Sequence, residues 1–315
     1  MRTKVERGCK RSVRVRRSAI LLLLAIGVGG LANPGAGVAS PADPPIMAWK
    51  DLLDRPRPKP DATIRYGKDA LQLVDIWRPA GAERHPAVIM IHGGCWKTAI
   101  AERGIMNWIA DDLRSHGVGV WNIEYRGVDR GGGMPQTYQD IGAAADLFAA
   151  RGAEFGLQTD APHIVIGHSA GGHLALWLAR RRALPAGDSL RGPAPLPIDL
   201  AISQGGLPDL RAQAQTIDHG CGTDGAIAMS GEDFARSSPP EMPGGTAREL
   251  LFNNDRDPIA PSTSGAAYVA AMAIRGRGVE MVTTPNEGHV ELIAPDSISW
   301  NKQRSAILTA LKLAP

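Results

Sequence analysis

Aromatic side chains are scarce in this sequence, with seven Trp, four Tyr and four Phe among 315 residues. The 35 Lys and Arg nearly balance the 32 Asp and Glu, which leaves no basic stripe of the kind that tracks a phosphate backbone. Nucleic-acid binding is therefore not expected. Cysteine is rarer still: Cys9, Cys95 and Cys221 are the complete set. No Cys-x-x-Cys or His/Cys cluster has ligand spacing, so no metal site is expected. Cys95 and Cys221 could pair in an oxidising compartment or stay as free thiols, and spacing alone leaves both open. Apolar runs are also short. The longest uncharged one, residues 19–31, falls below the roughly 20 residues that span a bilayer.

What is present points to an exported, well-folded chain. Hydrophobic residues make up 43% and charged residues 21%, too apolar for disorder. Residues 1–39 hold eight Lys/Arg and one acid, Glu6, leaving a net −4 on the remainder. A basic start, an apolar stretch and small residues ending Gly37-Val38-Ala39 have the layout of a signal peptide, so the mature chain is expected to begin near Ser40 in the periplasm or medium. An uncleaved membrane anchor is the alternative. Arg16-Arg17 fits a basic leader better than twin-arginine export. Residues 40–62, with six prolines, read as an exposed extended lead-in.

From residue 63 the pattern is that of one α/β domain. Two alternating stretches, 63–66 and 71–77, read as an antiparallel hairpin around Gly67-Lys68-Asp69. Short continuous apolar runs follow at 86–91, 117–123, 163–166, 199–203, 250–252 and 279–283, as strands covered on both faces require. Between them, helical spacing recurs at 105–115, 136–151, 172–182, 264–275 and 297–313. Strand and helix alternate, which predicts a doubly wound, mainly parallel sheet with helices on both faces. Residues 205–246, rich in Gly, Pro and Ser, read as a loop-rich cap insertion at the carboxyl edge of the sheet that governs substrate choice.

The chemistry-bearing residues fall at strand exits. Gly167-His168-Ser169-Ala170-Gly171 stands between an apolar strand and an apolar helix, the setting in which a serine hydroxyl is presented on a sharp elbow. His92-Gly93-Gly94-Cys95-Trp96 follows an earlier strand, and its glycines let backbone N–H groups turn toward an oxyanion. Ala170 would supply the second donor from just after the nucleophile. His92 reads as a hydrogen-bonding residue rather than a base, and Glu124-Tyr125-Arg126 as a buried ion-pair cluster. A serine needs an imidazole to take its proton and an acid to orient that imidazole. After Ser169 only His173, His219 and His289 remain; His173 sits on the elbow helix and His219 in the insertion, which leaves His289 as the base. Asp255 and Asp257 compete for the acid, and the Pro258-Ile259-Ala260-Pro261 that fixes its loop favours Asp257. Trp96 and His168 are candidates for the pocket wall.

Together these motifs, with Gly288-His289-Val290-Glu291-Leu292-Ile293, resemble the α/β-hydrolase superfamily over roughly residues 63–313. The esterase/lipase and kynurenine formamidase-like branch is the most similar, since its members carry a similar His-Gly-Gly turn and Gly-His-Ser-Ala-Gly-Gly-His-Leu elbow. The resemblance implies Ser169 as nucleophile, Asp257 and His289 as its partners, and backbone donors near Gly93, Gly94, Cys95 and Ala170. It implies no cofactor and no metal. The chain departs from many relatives at Asn253-Asn254, where they have His-Gly, and at Cys95. The expected activity is hydrolysis of a small-molecule carboxylic ester through an acyl-enzyme. A small-amide hydrolase of the formamidase type and a non-catalytic binding protein on the same fold are the alternatives. Export argues against the formamidase and toward esters met outside the cytoplasm, such as acylated polysaccharide. The oligomeric state and the acyl group are not written in the sequence.

Overall fold

The computed structural model describes residues 44–222 and 224–314. The expected leader, residues 1–39, lies outside the described residues. Eight strands form one sheet: β1 (Ala62–Arg65), β2 (Leu73–Trp77), β3 (Ala87–Ile91), β4 (Gly119–Ile123), β5 (Ile164–His168), β6 (Leu200–Gln204), β7 (Arg248–Phe252) and β8 (Glu280–Val282). Their order is β1-β2-β4-β3-β5-β6-β7-β8. β1 and β2 form the antiparallel hairpin, β2 runs antiparallel to β4, and every later pairing is parallel.

Helices fill the crossovers. α1 (Trp49–Leu53) precedes the sheet, and α2 (Asn107–Ser115), α3 (Gln136–Arg151) and α4 (Ala170–Arg180) connect its first half. α5 (Ala214–Cys221), α6 (Gly225–Ser230) and α7 (Phe234–Ser237) lie in the insertion, and α8 (Ser262–Ile274) and α9 (Ile298–Ala310) complete the chain. The insertion is thus more regular than its composition suggests, because three short helical pieces satisfy the backbone that loops would leave open. Among the described residues no helix is long and apolar enough to cross a membrane.

The unbroken apolar strands follow from burial on both faces. On β3, Ile89 and Ile91 point into a core shared with Trp121, Tyr138, Leu174 and Trp177, whereas Val88 and Met90 point into a second core with Ile109, Leu113, Trp300 and Leu308. β5 divides the same way, with Val165 on one side and Ile164 and Ile166 on the other. Each fully buried side chain of this size contributes about 1.5–3 kcal/mol. Polar residues buried within the strands, such as Asp75 in β2 and Asn122 in β4, are held by hydrogen bonds, and the candidate site residues fall at or beyond the carboxyl tips of the strands.

One buried polar residue stitches the insertion to this frame. His173, in the first turn of α4, is fully buried, and its Nε2–H donates to the Ser237 carbonyl at 2.8 Å. Burial pushes its pKa from 6.5 down to about 4, so the ring is neutral in the folded protein. The neutral form is the stabilising one: its contribution is complete above about pH 6.5 and drains away as pH falls toward 4. Between those limits the ring accounts for about 3 kcal/mol of lost stability. Urea unfolding from pH 7 to pH 4 should therefore show a shallower decline for His173→Gln than for the parent. Parallel declines would mean that the ring is charged in the fold.

Candidate active site

The elbow is forced by contacts between backbones. A Cβ on Gly167 would lie 2.0 Å from the Gly171 carbonyl oxygen, and one on Gly171 would lie 2.2 Å from the Ile91 oxygen. No side chain fits at either position. Between them Ser169 adopts φ 53° and ψ −120°, a region that costs a non-glycine residue about 1–3 kcal/mol. The strain is held by hydrogen bonds on both sides: Ser169 N–H donates to the Gln204 carbonyl at 2.7 Å, and its own carbonyl accepts from Gly172 N–H at 2.8 Å. Ser169 is largely buried and lines a cavity of about 310 Å³.

Beside it runs the turn after β3. A Cβ on Gly93 would meet the Ser169 Cβ at 3.0 Å, so only glycine fits beside the serine there, and the Gly93 amide, the first of the expected oxyanion donors, has no acceptor among the described residues. Gly94, Cys95 and Trp96 then take φ of +100°, +56° and +54°, three successive left-handed residues. Gly94 and Cys95 line the cavity, and Ala170 heads α4 immediately behind the serine. Among the described residues, the amides of Gly94, Cys95 and Ala170 donate to no acceptor. His92 braces the turn from below: Nδ1 meets the Gly93 carbonyl at 2.7 Å, Nε2 meets Glu124 at 2.8 Å, and the ring stacks on Tyr125. Burial raises the Glu124 carboxyl, but His92 and the Arg103 and Tyr125 amides outweigh it and leave the group below its ordinary value.

Asp257 and His289 meet across two loops, with Asp257 Oδ2 2.6 Å from His289 Nδ1. The second carboxylate oxygen accepts from the Ile259 and Ala260 amides, both at 2.8 Å. Burial pushes this carboxyl up, yet the imidazole and the two amides outweigh that and hold it below the usual range. Asp255 is exposed and accepts from Asn286 N–H, so it shapes a turn and faces away from the imidazole. Asn254, at the departure from His-Gly, donates to the Gly288 carbonyl at 2.8 Å and so ties the Asp257 loop to the His289 loop.

His168 lies on the cavity wall, its ring centroid 4.5 Å from that of His289. Its Nε2–H donates to the His289 carbonyl at 3.1 Å, and burial, followed by the neighbouring His289, holds its pKa well below the ordinary value. Trp96 does not line the cavity. The left-handed run turns its ring into the core, where it is 1% exposed and packs edge-on against His173. Among the described residues the insertion touches the cavity only through Gly220, whereas Trp49 and Leu53 of α1 form a wall. Reading residues 40–62 as an extended lead-in missed this, since the five residues of α1 are too few to show a helical period amid prolines. Among the described residues no cluster of His, Cys, Asp and Glu could hold a metal.

Cys95 and Cys221 are joined as a disulfide, their Cα atoms 5.3 Å apart, which fastens the left-handed turn to the end of α5. Closing a loop this long restricts the unfolded chain, and Cys221→Ala should cost about 2–5 kcal/mol in urea unfolding. A reducing agent should lower the parent's midpoint and leave the variant's unchanged. An insensitive parent would contradict the bond.

The BD-FAE family model matches residues 74–190, a span that includes the turn after β3 and the elbow and ends before Asp257 and His289. No curated protein matches the sequence. Several solved structures are similar in fold. A thermophilic esterase from the Planctomycetes species Thermogutta terrifontis, with propionate bound, superposes with a TM-score of 0.65 at 19% identity, covering 84% of this chain and 98% of that one. Esterase B from Lactobacillus Rhamnosis gives 0.64 at 18%, covering 81% and 87%. A truncated carbohydrate esterase from gut microbiota gives 0.63 at 17%, covering 81% and 98%. At such identities the likeness carries architecture alone, and that architecture is the α/β-hydrolase fold.

Proposed function

We propose that the protein is an exported serine hydrolase that cleaves a small carboxylic ester through an acyl-enzyme. The observation that carries this reading is the 2.6 Å contact of Asp257 with His289 at the wall of the cavity that Ser169 lines. In the proposed cycle Ser169 Oγ attacks the ester carbonyl while His289 Nε2 takes its proton. Asp257, by accepting from Nδ1–H, fixes the tautomer that leaves Nε2 free to do so. Negative charge gathers on the carbonyl oxygen in the tetrahedral intermediate. The Gly94, Cys95 and Ala170 amides, which have no other acceptor among the described residues, would stabilise it. His289 then protonates the departing alcohol, and water, activated by the same ring, releases the acid. The neighbours described as esterases, one inhibited by a tributyrin phosphonate, support this reading of the fold.

Export rests on the layout of residues 1–39 and is supported by the disulfide, a bond that persists in oxidising compartments. N-terminal sequencing of the native protein should begin near Ser40, and a start at Met1 would overturn cleavage.

With p-nitrophenyl acetate and the matching anilide, hydrolysis of the ester should be the faster. Ser169→Ala should lower kcat by roughly 10³ to 10⁶. Asp257→Asn should cost on the order of 10⁴, because the wrong tautomer is presented, whereas Asp255→Asn should stay within about threefold. A Ser169→Ala variant as fast as the parent would sink the catalytic reading and leave a binding protein. Equal losses for the two aspartates would remove Asp257 from its role.

A further inference from the structure

Within this esterase reading, we infer that residues 44–55 are a working wall of the active site and that Trp49 reads an apolar arm of the ester.

The segment is fastened to the two loops that carry the acid and the base. The Arg256 guanidinium, one residue before Asp257, donates to the Pro44 carbonyl. Glu291, two residues after His289, accepts from Met47 N–H and also from Gly288 N–H at 3.0 Å. The Gly288 backbone lies so close to Ile46 that a Cβ there would sit 3.0 Å from its Cδ1. Arg55 pairs with Asp296 at 2.7 Å, and Leu52 is fully buried in the second core. These contacts fix α1 in place over the site. Its Trp49 then stands edge-on to His168 at 6.0 Å and to His289 at 6.3 Å, directly beside the reacting groups.

The chemistry of the wall selects the ligand. Trp49 and Leu53 share the lining of the cavity with Ile100, Ile105 and Ile259, and among the described residues the lining includes no Asp, Glu, Lys or Arg. A charged substituent entering it would lose its hydration without gaining a partner, whereas a hydrocarbon would gain on both sides. Leu53 and Ile100, both part of the lining, are 40% and 56% exposed, so the apolar surface that begins beside the serine reaches solvent. The arm that occupies it is a neutral aliphatic or aryl group. It belongs to either the acid or the alcohol half of the ester, and the two halves are separable by experiment.

The test measures kcat/KM for the parent, Trp49→Ala and Trp49→Phe on two series: p-nitrophenyl acetate, butyrate and octanoate, and ethyl, butyl and octyl acetate. Stoichiometric labelling of Ser169 by a fluorophosphonate certifies that each variant is folded. In one series the parent should gain with chain length, and Trp49→Ala should lose at least about tenfold more on the longest member than on the shortest. The series that responds names the arm, and Trp49→Phe should recover most of the loss because an aromatic wall is retained. A length profile unchanged by Trp49→Ala in both series, or a uniform loss across all members, overturns the inference while leaving the esterase reading intact. A parent that neither hydrolyses any ester nor takes the label overturns both.

Discussion

The site depends on one close approach, that of Gly171 at the start of α4 to the last carbonyls of β3. With 2.2 Å between a notional Cβ and the Ile91 oxygen, helix and strand touch backbone to backbone. That contact makes the turn between β5 and α4 so tight that Ser169 must take a left-handed conformation. It also brings the residues after β3 against the serine, since β3 and β5 are neighbours in the sheet. The elbow and the placing of the turn after β3 are therefore two results of one packing constraint.

Asp257 and His289, the proposed acid and base, reach the same cavity by a different route. They leave β7 and β8, two and three strands removed from β5, and their loops are secured to each other by Asn254 and by the Arg256 N–H to Glu287 carbonyl bond. The segment before the sheet adds a third attachment through Pro44 and Met47. Loops at this edge carry polar backbone that the apolar cores cannot satisfy, so hydrogen bonds between loops replace hydrophobic packing as the source of order.

How far the sequence could be read follows from this division. Strands buried on both faces leave continuous apolar runs, and the glycines of the elbow and the turn after β3 have no sterically acceptable replacement, so these elements were legible. Asp255 and Asp257 were harder to rank, because two carboxylates two residues apart differ only in which way the turn aims them. The Cys95 to Cys221 pairing required a distance that spacing does not supply. Trp96 directly follows Cys95 of the turn beside the serine yet packs inward, a direction set by its positive φ. α1 was missed for a physical reason: five residues give no helical period, and its order comes from contacts with loops more than 200 residues away.

The disulfide divides the machinery topologically. Residues 95 to 221 form a covalent ring that contains Cys95, Ser169 and Ala170 and the strands β4, β5 and β6. Asp257 and His289 lie outside it, on a C-terminal arm of β7, α8, β8 and α9 that meets the ring through hydrogen bonds and packing alone. Most of the proposed electrophile-binding half, Gly94 excepted, is thus locked into a closed circuit, whose unfolded form has fewer conformations to gain. Asp257 and His289, the proposed acid and base, lie on a stretch that this disulfide does not close, so local loosening of β7, β8 or α9 would part His289 from Ser169 while the surroundings of Ser169 stayed intact.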